Sequence, residues 1–192
     1  MGESVIRTRH WSRVEYERLI EKHVFRPDER LELLGGELIV REPHGDPHTL
    51  AVELVNESLV AAFGPGWRVR VQLPVALDEE SEPEPDVSVA AGRARDRREP
   101  KPSRLALVVE IADSSIALDR EHKGSLYAKA GVPDYWIVNL VDRVLEVYRE
   151  PAAEATAPFG WAYREVRRLD AEESIMPLAA PAGRITVADL LP

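Results

Sequence analysis

Three side chains in this sequence could do phosphate chemistry if the fold brings them together. They are Asp86, directly after Pro85; Glu110, at the end of the apolar run Leu105-Ala106-Leu107-Val108-Val109; and Lys123 further along. Two carboxylates on neighbouring strands can hold Mg²⁺, which prefers one or two carboxylates with water and substrate phosphate over an all-protein cage. Such an ion polarises a phosphodiester and activates water. A lysine at the same point would steady the attacking hydroxide or the charge developing on phosphorus. Each residue taken singly also has an ordinary reading: Asp86 as a strand-entry residue, Glu110 paired with an arginine, and Lys123 as a solvated helix residue.

The elements that must position them are legible in the stretch 105–140. The run ending at Val109 is apolar enough for a strand buried on both faces and delivers Glu110 at its end. Asp119 can cap a helix in which Lys123, Leu126, Tyr127 and Ala130 share one face, and Gly131 and Pro133 stop it. Tyr135-Trp136-Ile137-Val138 is again β-prone, so Lys123 rides a crossover helix and can face the strand carrying Glu110. Tyr127 and Trp136 are expected to pack in the core.

Upstream, Ser12 and Glu15 form the pattern of a helix capping box, followed by Tyr16, Leu19, Ile20 and His23 on one face. Residues 30–41 read as a hairpin around Gly35-Gly36, with Glu32 on one arm and Glu37 on the other. A helix opens at His48, with Val52, Val55, Leu59, Ala62 and Phe63 on one face. The segment 67–77 alternates with period two and predicts a half-buried strand, paired with a strand from Asp86 to Ala90. Between them the acidic stretch 78–84 is expected to be an exposed loop. Two further strands, from Val144 to Tyr148 and from Trp161 to Leu169, extend the sheet.

Composition narrows the function classes. At 192 residues, 44% hydrophobic and 31% charged, the chain fits one soluble domain over its whole length. No apolar run approaches the roughly 20 residues needed to cross a bilayer, so no membrane association is expected. Residues 1–9 do not resemble a signal peptide. With no cysteine, disulfides, thiol catalysis and zinc ribbons are excluded, and a cytoplasmic location is expected. A net charge of −9 argues against general coating of nucleic acid, so any DNA contact must use a local basic patch. The one basic run spans 92–104 and includes Arg93, Arg95, Arg97 and Arg98. It lies between the two acid-bearing strands, where it would grip phosphates or remain a solvated loop.

Pro85-Asp86 followed by Val109-Glu110-Ile111 resembles the PD-(D/E)XK nuclease signature, with one departure: Ala112 stands where the usual lysine follows the second acid. The wider pattern is more specific. Leu31-Glu32-Leu33, Gly36-Glu37, His48, Pro85-Asp86, Val109-Glu110, Asp113-Ser114-Ser115, Asp119, Lys123, Tyr127, Gly131-Val132-Pro133 and Tyr135-Trp136-Ile137-Val138 resemble the Uma-type restriction-endonuclease family over roughly residues 12 to 150.

That resemblance implies an α/β restriction-endonuclease-like fold: a central mixed sheet flanked by helices, with an N-terminal helix and hairpin. It further implies a DNA endonuclease using Mg²⁺ or Mn²⁺, with Asp86 and Glu110 as metal ligands. Lys123, migrated from strand to helix, would be the catalytic base or stabiliser. Glu32 and His48 match further family positions and are carried as site-adjacent. A homodimer is expected, since double-strand cutting usually needs two sites. Two rivals stand beside this reading: a catalytically silent nuclease-like domain acting as a binding or regulatory module, and a metallohydrolase using His44, Asp46 and His48. Glu84, two before Asp86, would point to the same side in an extended segment. Ser114-Ser115 lacks the glycine elbow of a serine hydrolase.

Overall fold

The capping box of Ser12 and Glu15 forms as the sequence predicts. Both reciprocal hydrogen bonds are present, and they start α1 (Arg13–Glu21), whose Tyr16 is buried. The computed structural model describes residues 8–41, 45–93, 95 and 101–192. Next come β1 (Leu31–Leu34) and β2 (Glu37–Val40), paired antiparallel with Glu32 opposite Ile39. Gly35 and Gly36 make the turn at φ of 57° and 86°, a region that side chains resist. A Cβ at Gly35 would also strike the ring of Phe159.

The helix α2 (Asp46–Phe63) follows, then β3 (Trp67–Val71), β4 (Val87–Ala91) and β5 (Leu107–Ala112). The crossover is built from α3 (Ile116–Leu118), a π-helical turn at Asp119–Lys123, and α4 (Gly124–Lys129). It leads to β6 (Asp134–Asn139), after which come β7 (Val144–Ala153) and β8 (Trp161–Leu169). The strands β3 to β8 form one six-stranded sheet in sequence order. Only β5 and β6 run parallel, with Glu110 level with Ile137; the other neighbours are antiparallel. A helical crossover between parallel strands is what that pairing requires.

Period-two alternation sorts the sheet into two cores. Val87, Val89, Leu107, Val109, Ile111, Trp136 and Val138 pack under α2. On the opposite face Ala90, Val108, Ala112, Tyr135 and Ile137 pack with Tyr127 of α4. Glu110 falls between Val108 and Ala112 in that alternation and so emerges beneath the crossover helix.

Two expectations need correction. The strand from Trp67 stops at Val71, because Gln72 turns to φ 46° and leaves Leu73 exposed and Val75 buried. The acidic stretch 78–84 is not simply an exposed loop. Asp78 to Glu80 reach the surface, but Ser81, Glu82 and Pro83 are buried, and Glu82 exchanges backbone hydrogen bonds with Leu33 of the hairpin. Lys101 partners its carboxylate, which makes the burial tolerable. In this way the hairpin is fastened to the approach of β4. The segment after residue 170 adds β9 (Ser174–Ile175), β10 (Ile185–Thr186) and a 3₁₀ turn at Val187–Leu190 that joins the α2 core.

Candidate active site

Asp86 ends the buried approach to β4, Glu110 projects from β5, and Lys123 closes the π-helical turn. All three are at most 4% exposed. A π-helical turn carries an extra residue per loop of chain and often marks a functional position. Lys123 Nζ lies 3.1 Å from Glu110 Oε1 and 3.2 Å from Glu32 Oε2. The Asp86 N–H donates to Glu110 Oε2 at 3.4 Å, and Asp86 Oδ2 accepts the Ile111 N–H at 2.9 Å. Thus the three residues singled out by spacing converge.

Glu32 and His48, marked as adjacent, are part of the same cluster. His48 Nε2 lies 3.2 Å from Asp86 Oδ2. Glu32 Oε1 accepts the Glu84 N–H at 3.0 Å. Arg41 links the two acids, with Nη2 at 3.2 Å from Asp86 Oδ1 and Nε at 3.5 Å from Glu32 Oε1. Acidic and basic side chains therefore alternate around a circuit of Asp86, Arg41, Glu32, Lys123 and Glu110, which the Asp86 N–H closes. Asp113, Ser114, Ser115, Leu118 and Asp119 also line the cavity of about 320 Å³ that these residues share.

Three contributors were not legible as site residues: Arg41, Asp119 and Tyr127. Asp119 was expected as a helix cap. The helix instead starts at Ile116, and the Asp119 side chain turns inward, accepting from Ser115 Oγ at 2.5 Å with Lys123 at 3.9 Å. Its i, i+4 spacing to Lys123 was the available signal. Tyr127 is core as expected, yet its hydroxyl donates to Glu110 Oε1 at 2.7 Å.

Of the remaining residues, Glu84 contributes its backbone, while its side chain lines a different cleft beside Tyr16 and Arg30. The alternative histidine cluster does not assemble among the described residues. His48 turns to Asp86, Asp46 is exposed at the start of α2, and His44 lies outside the described residues. Arg93 and Arg95 are exposed; Arg97 and Arg98 also lie outside the described residues.

Burial sets the electrostatics. It would raise the Asp86 carboxyl, but the His48 hydrogen bond and charge, the Ile111 N–H and the Lys123 ammonium hold it well below the usual range. For Glu110 burial wins over Lys123, and with Asp86, Asp119 and Glu32 nearby its carboxyl is pushed up to about 8. Burial would lower the Lys123 ammonium, but Glu110, Glu32 and Asp119 hold it above the ordinary lysine value, so it is cationic.

A pH dependence follows. Between pH 4.5 and about 8 the folded protein keeps a proton on Glu110 that the unfolded chain has lost, so this group's contribution to stability falls as pH rises. One proton corresponds to a slope of up to about 1.4 kcal/mol per pH unit. Urea melts of metal-free Glu110→Gln are expected to lose that slope between pH 5 and 8; an unchanged slope would assign it to other groups.

The cluster is acid-rich. Among the described residues Glu32, Asp86, Glu110 and Asp119 surround two fixed cations, Arg41 and Lys123. A divalent cation would displace the proton that Glu110 keeps below about pH 8 and balance these acids. No three His, Asp or Glu side chains among the described residues are arranged to hold an ion. The neighbouring carboxylates of Asp86 and Glu110 are a pair that a hard divalent cation could take while completing its shell with water and substrate oxygens. Within this pair the less encumbered oxygens are Asp86 Oδ1 and Glu110 Oε2, each held among the described residues by one donor.

Residues 13–188 match the Uma2 family, described as "Putative restriction endonuclease". The fold matches a crystal structure from Anabaena variabilis ATCC 29413, described as "a putative nuclease belonging to DUF820". That match has a TM-score of 0.70 at 16% identity and covers 94% of this chain and 97% of the other. No curated protein matches the sequence. No helix among the described residues is long and apolar enough to cross a membrane.

Proposed function

The chain belongs to the Uma2 restriction-endonuclease family, and from that premise we propose that it is a divalent-metal-dependent endonuclease hydrolysing DNA phosphodiester bonds. The observation that carries this reading is the position of Lys123. Its Nζ reaches from the crossover helix to within 3.1 Å of Glu110, while Ala112, at the usual lysine position, is buried in the core. The cation that PD-(D/E)XK chemistry needs is thus supplied from a second element.

Asp86 and Glu110 would hold Mg²⁺ or Mn²⁺. When bound, the ion would polarise the scissile phosphate and lower the pKa of a water. Lys123, cationic and buried, stabilises the negative charge that develops on phosphorus; in this low-dielectric setting that stabilisation is stronger than in water. Tyr127 and Glu32 orient the groups they touch: Tyr127 fixes Glu110 Oε1, and Glu32 holds Lys123 from the opposite side. His48 and the Ile111 N–H keep Asp86 ionised and in one rotamer. Arg93 and Arg95, with Arg97 and Arg98 of the same run, would contact DNA phosphates, which counters the net charge of −9. The proposed working form is a soluble cytoplasmic homodimer of single-domain chains.

Supercoiled plasmid incubated with the protein and Mg²⁺ or Mn²⁺ is expected to be nicked, and excess chelator should stop the reaction. An inert protein that still binds DNA would support the silent binding module instead.

A further inference from the structure

Resting on the nuclease reading above, we propose that Arg41 is a displaceable cation of the site. It occupies the Asp86 oxygen that a divalent ion would take, yields that oxygen when the ion binds, and takes up a phosphate oxygen of the substrate.

The two oxygens of Asp86 are held differently. Oδ2 accepts from the Ile111 N–H, a backbone group locked in the middle of the sheet, and faces His48. Oδ1 is held, among the described residues, by Arg41 Nη2. An ion arriving at Asp86 meets fixed donors on one side and a long, flexible side chain on the other. Two positive charges sharing one carboxylate oxygen repel strongly in a buried setting, and the guanidinium is the one that can move.

Among the described residues the contacts of Arg41 are also dispersed over several groups rather than forked on one carboxylate. Among these residues it touches three separate acceptors: Asp86 Oδ1 at 3.2 Å, the Glu84 carbonyl at 3.1 Å and Glu32 Oε1 at 3.5 Å. Charge-assisted N–H···O bonds are usually about 2.7–2.9 Å. Elsewhere this chain builds a fork on a single carboxylate: Arg149 Nε and Nη2 grip the two oxygens of Asp134, at 2.9 and 3.2 Å. The dispersed arrangement at Arg41 allows Asp86 to be released while Glu32 and the carbonyl still tether the side chain. Arg41 lines the cavity and follows directly after the last residue of β2, so a turned guanidinium stays within it. There its planar donor fork suits two phosphate oxygens.

Arg41→Gln should have opposite effects on two ligands. If the wild-type site binds the ion only when Arg41 has left, removing the competitor should tighten Mn²⁺ binding by about tenfold. DNA binding in Ca²⁺ should weaken, and the slope of log affinity against log salt should fall by about one phosphate contact. Calorimetry with Mn²⁺ and anisotropy with a short duplex read the two arms. Because Arg41→Gln strips a cation from buried acids and can fail to fold, Arg41→Lys is measured alongside. A lysine keeps the charge but cannot span three acceptors, so Mn²⁺ affinity should equal or exceed wild type while DNA affinity drops. Mn²⁺ binding that is unchanged or weaker in Arg41→Gln, or weaker in Arg41→Lys, would overturn the proposal and leave the nuclease reading intact. A wild type that binds no divalent ion would overturn both.

Discussion

Replacing Lys123 by alanine is expected to slow metal-dependent plasmid nicking by about 10²–10³-fold, the usual loss when one preorganised electrostatic stabiliser is removed. Folding should suffer too. Lys123 is the ammonium beside Glu110 and Glu32, and stripping one partner from a buried ion pair costs roughly 3–5 kcal/mol. That cost should depend on pH. Below about 8 Glu110 can carry a proton of its own, so the variant should be closer to wild type in urea melts at pH 5 than at pH 8.5. Lys123→Arg preserves the charge and should rescue much of the stability, but its broader fork cannot sit at one point between two carboxylates. Nicking by Lys123→Arg should therefore remain low, and single-turnover rates at saturating Mg²⁺ separate the two effects.

Asp86→Asn should have the second large effect. The carboxylate accepts from Ile111 and Arg41 and faces His48, so an amide NH₂ placed there opposes a donor whichever way it is turned. About 1–3 kcal/mol of stability is expected to go with the lost acceptor. The proposed ion loses one of its two protein ligands, and Mn²⁺ affinity should fall by at least about 100-fold, beyond what is seen for outer-shell partners. Thermal melts read this directly. At a concentration 100-fold above its dissociation constant an ion stabilises the folded state by about 2.7 kcal/mol. Wild type should show that shift in Mn²⁺ and Asp86→Asn should not. A full shift in the variant would move the ion away from Asp86.

What the sequence revealed and what it hid divide along physical lines. Local periodicity and capping chemistry were sufficient for the hairpin at Gly35-Gly36, for the capping box of α1 and for the strand–helix–strand that sets Lys123 over Glu110. Those patterns depend on neighbours a few residues apart. The polar network depends on partners far apart in sequence: Arg41 meets Asp86, and the Glu32 carboxylate receives the Glu84 N–H. No periodicity encodes such pairs. For the same reason Glu82 looked solvated within its acidic run, when Lys101 and the backbone of Leu33 bury it. Tyr127 shows the limit from the other side. Its burial was readable from the helical face, but the hydroxyl it delivers to Glu110 was not. Asp119 looked like a cap because a short polar side chain at a helix start usually is one; starting the helix at Ile116 turns that residue into the cavity wall.

The most direct test of the central claim is nicking of supercoiled plasmid in Mg²⁺ by the wild type beside Asp86→Ala, Glu110→Ala and Lys123→Ala, each first shown to be folded. Metal-dependent nicking by the wild type and its loss in all three variants are expected. An inert wild type, or variants that cut as fast as the parent, would contradict the claim.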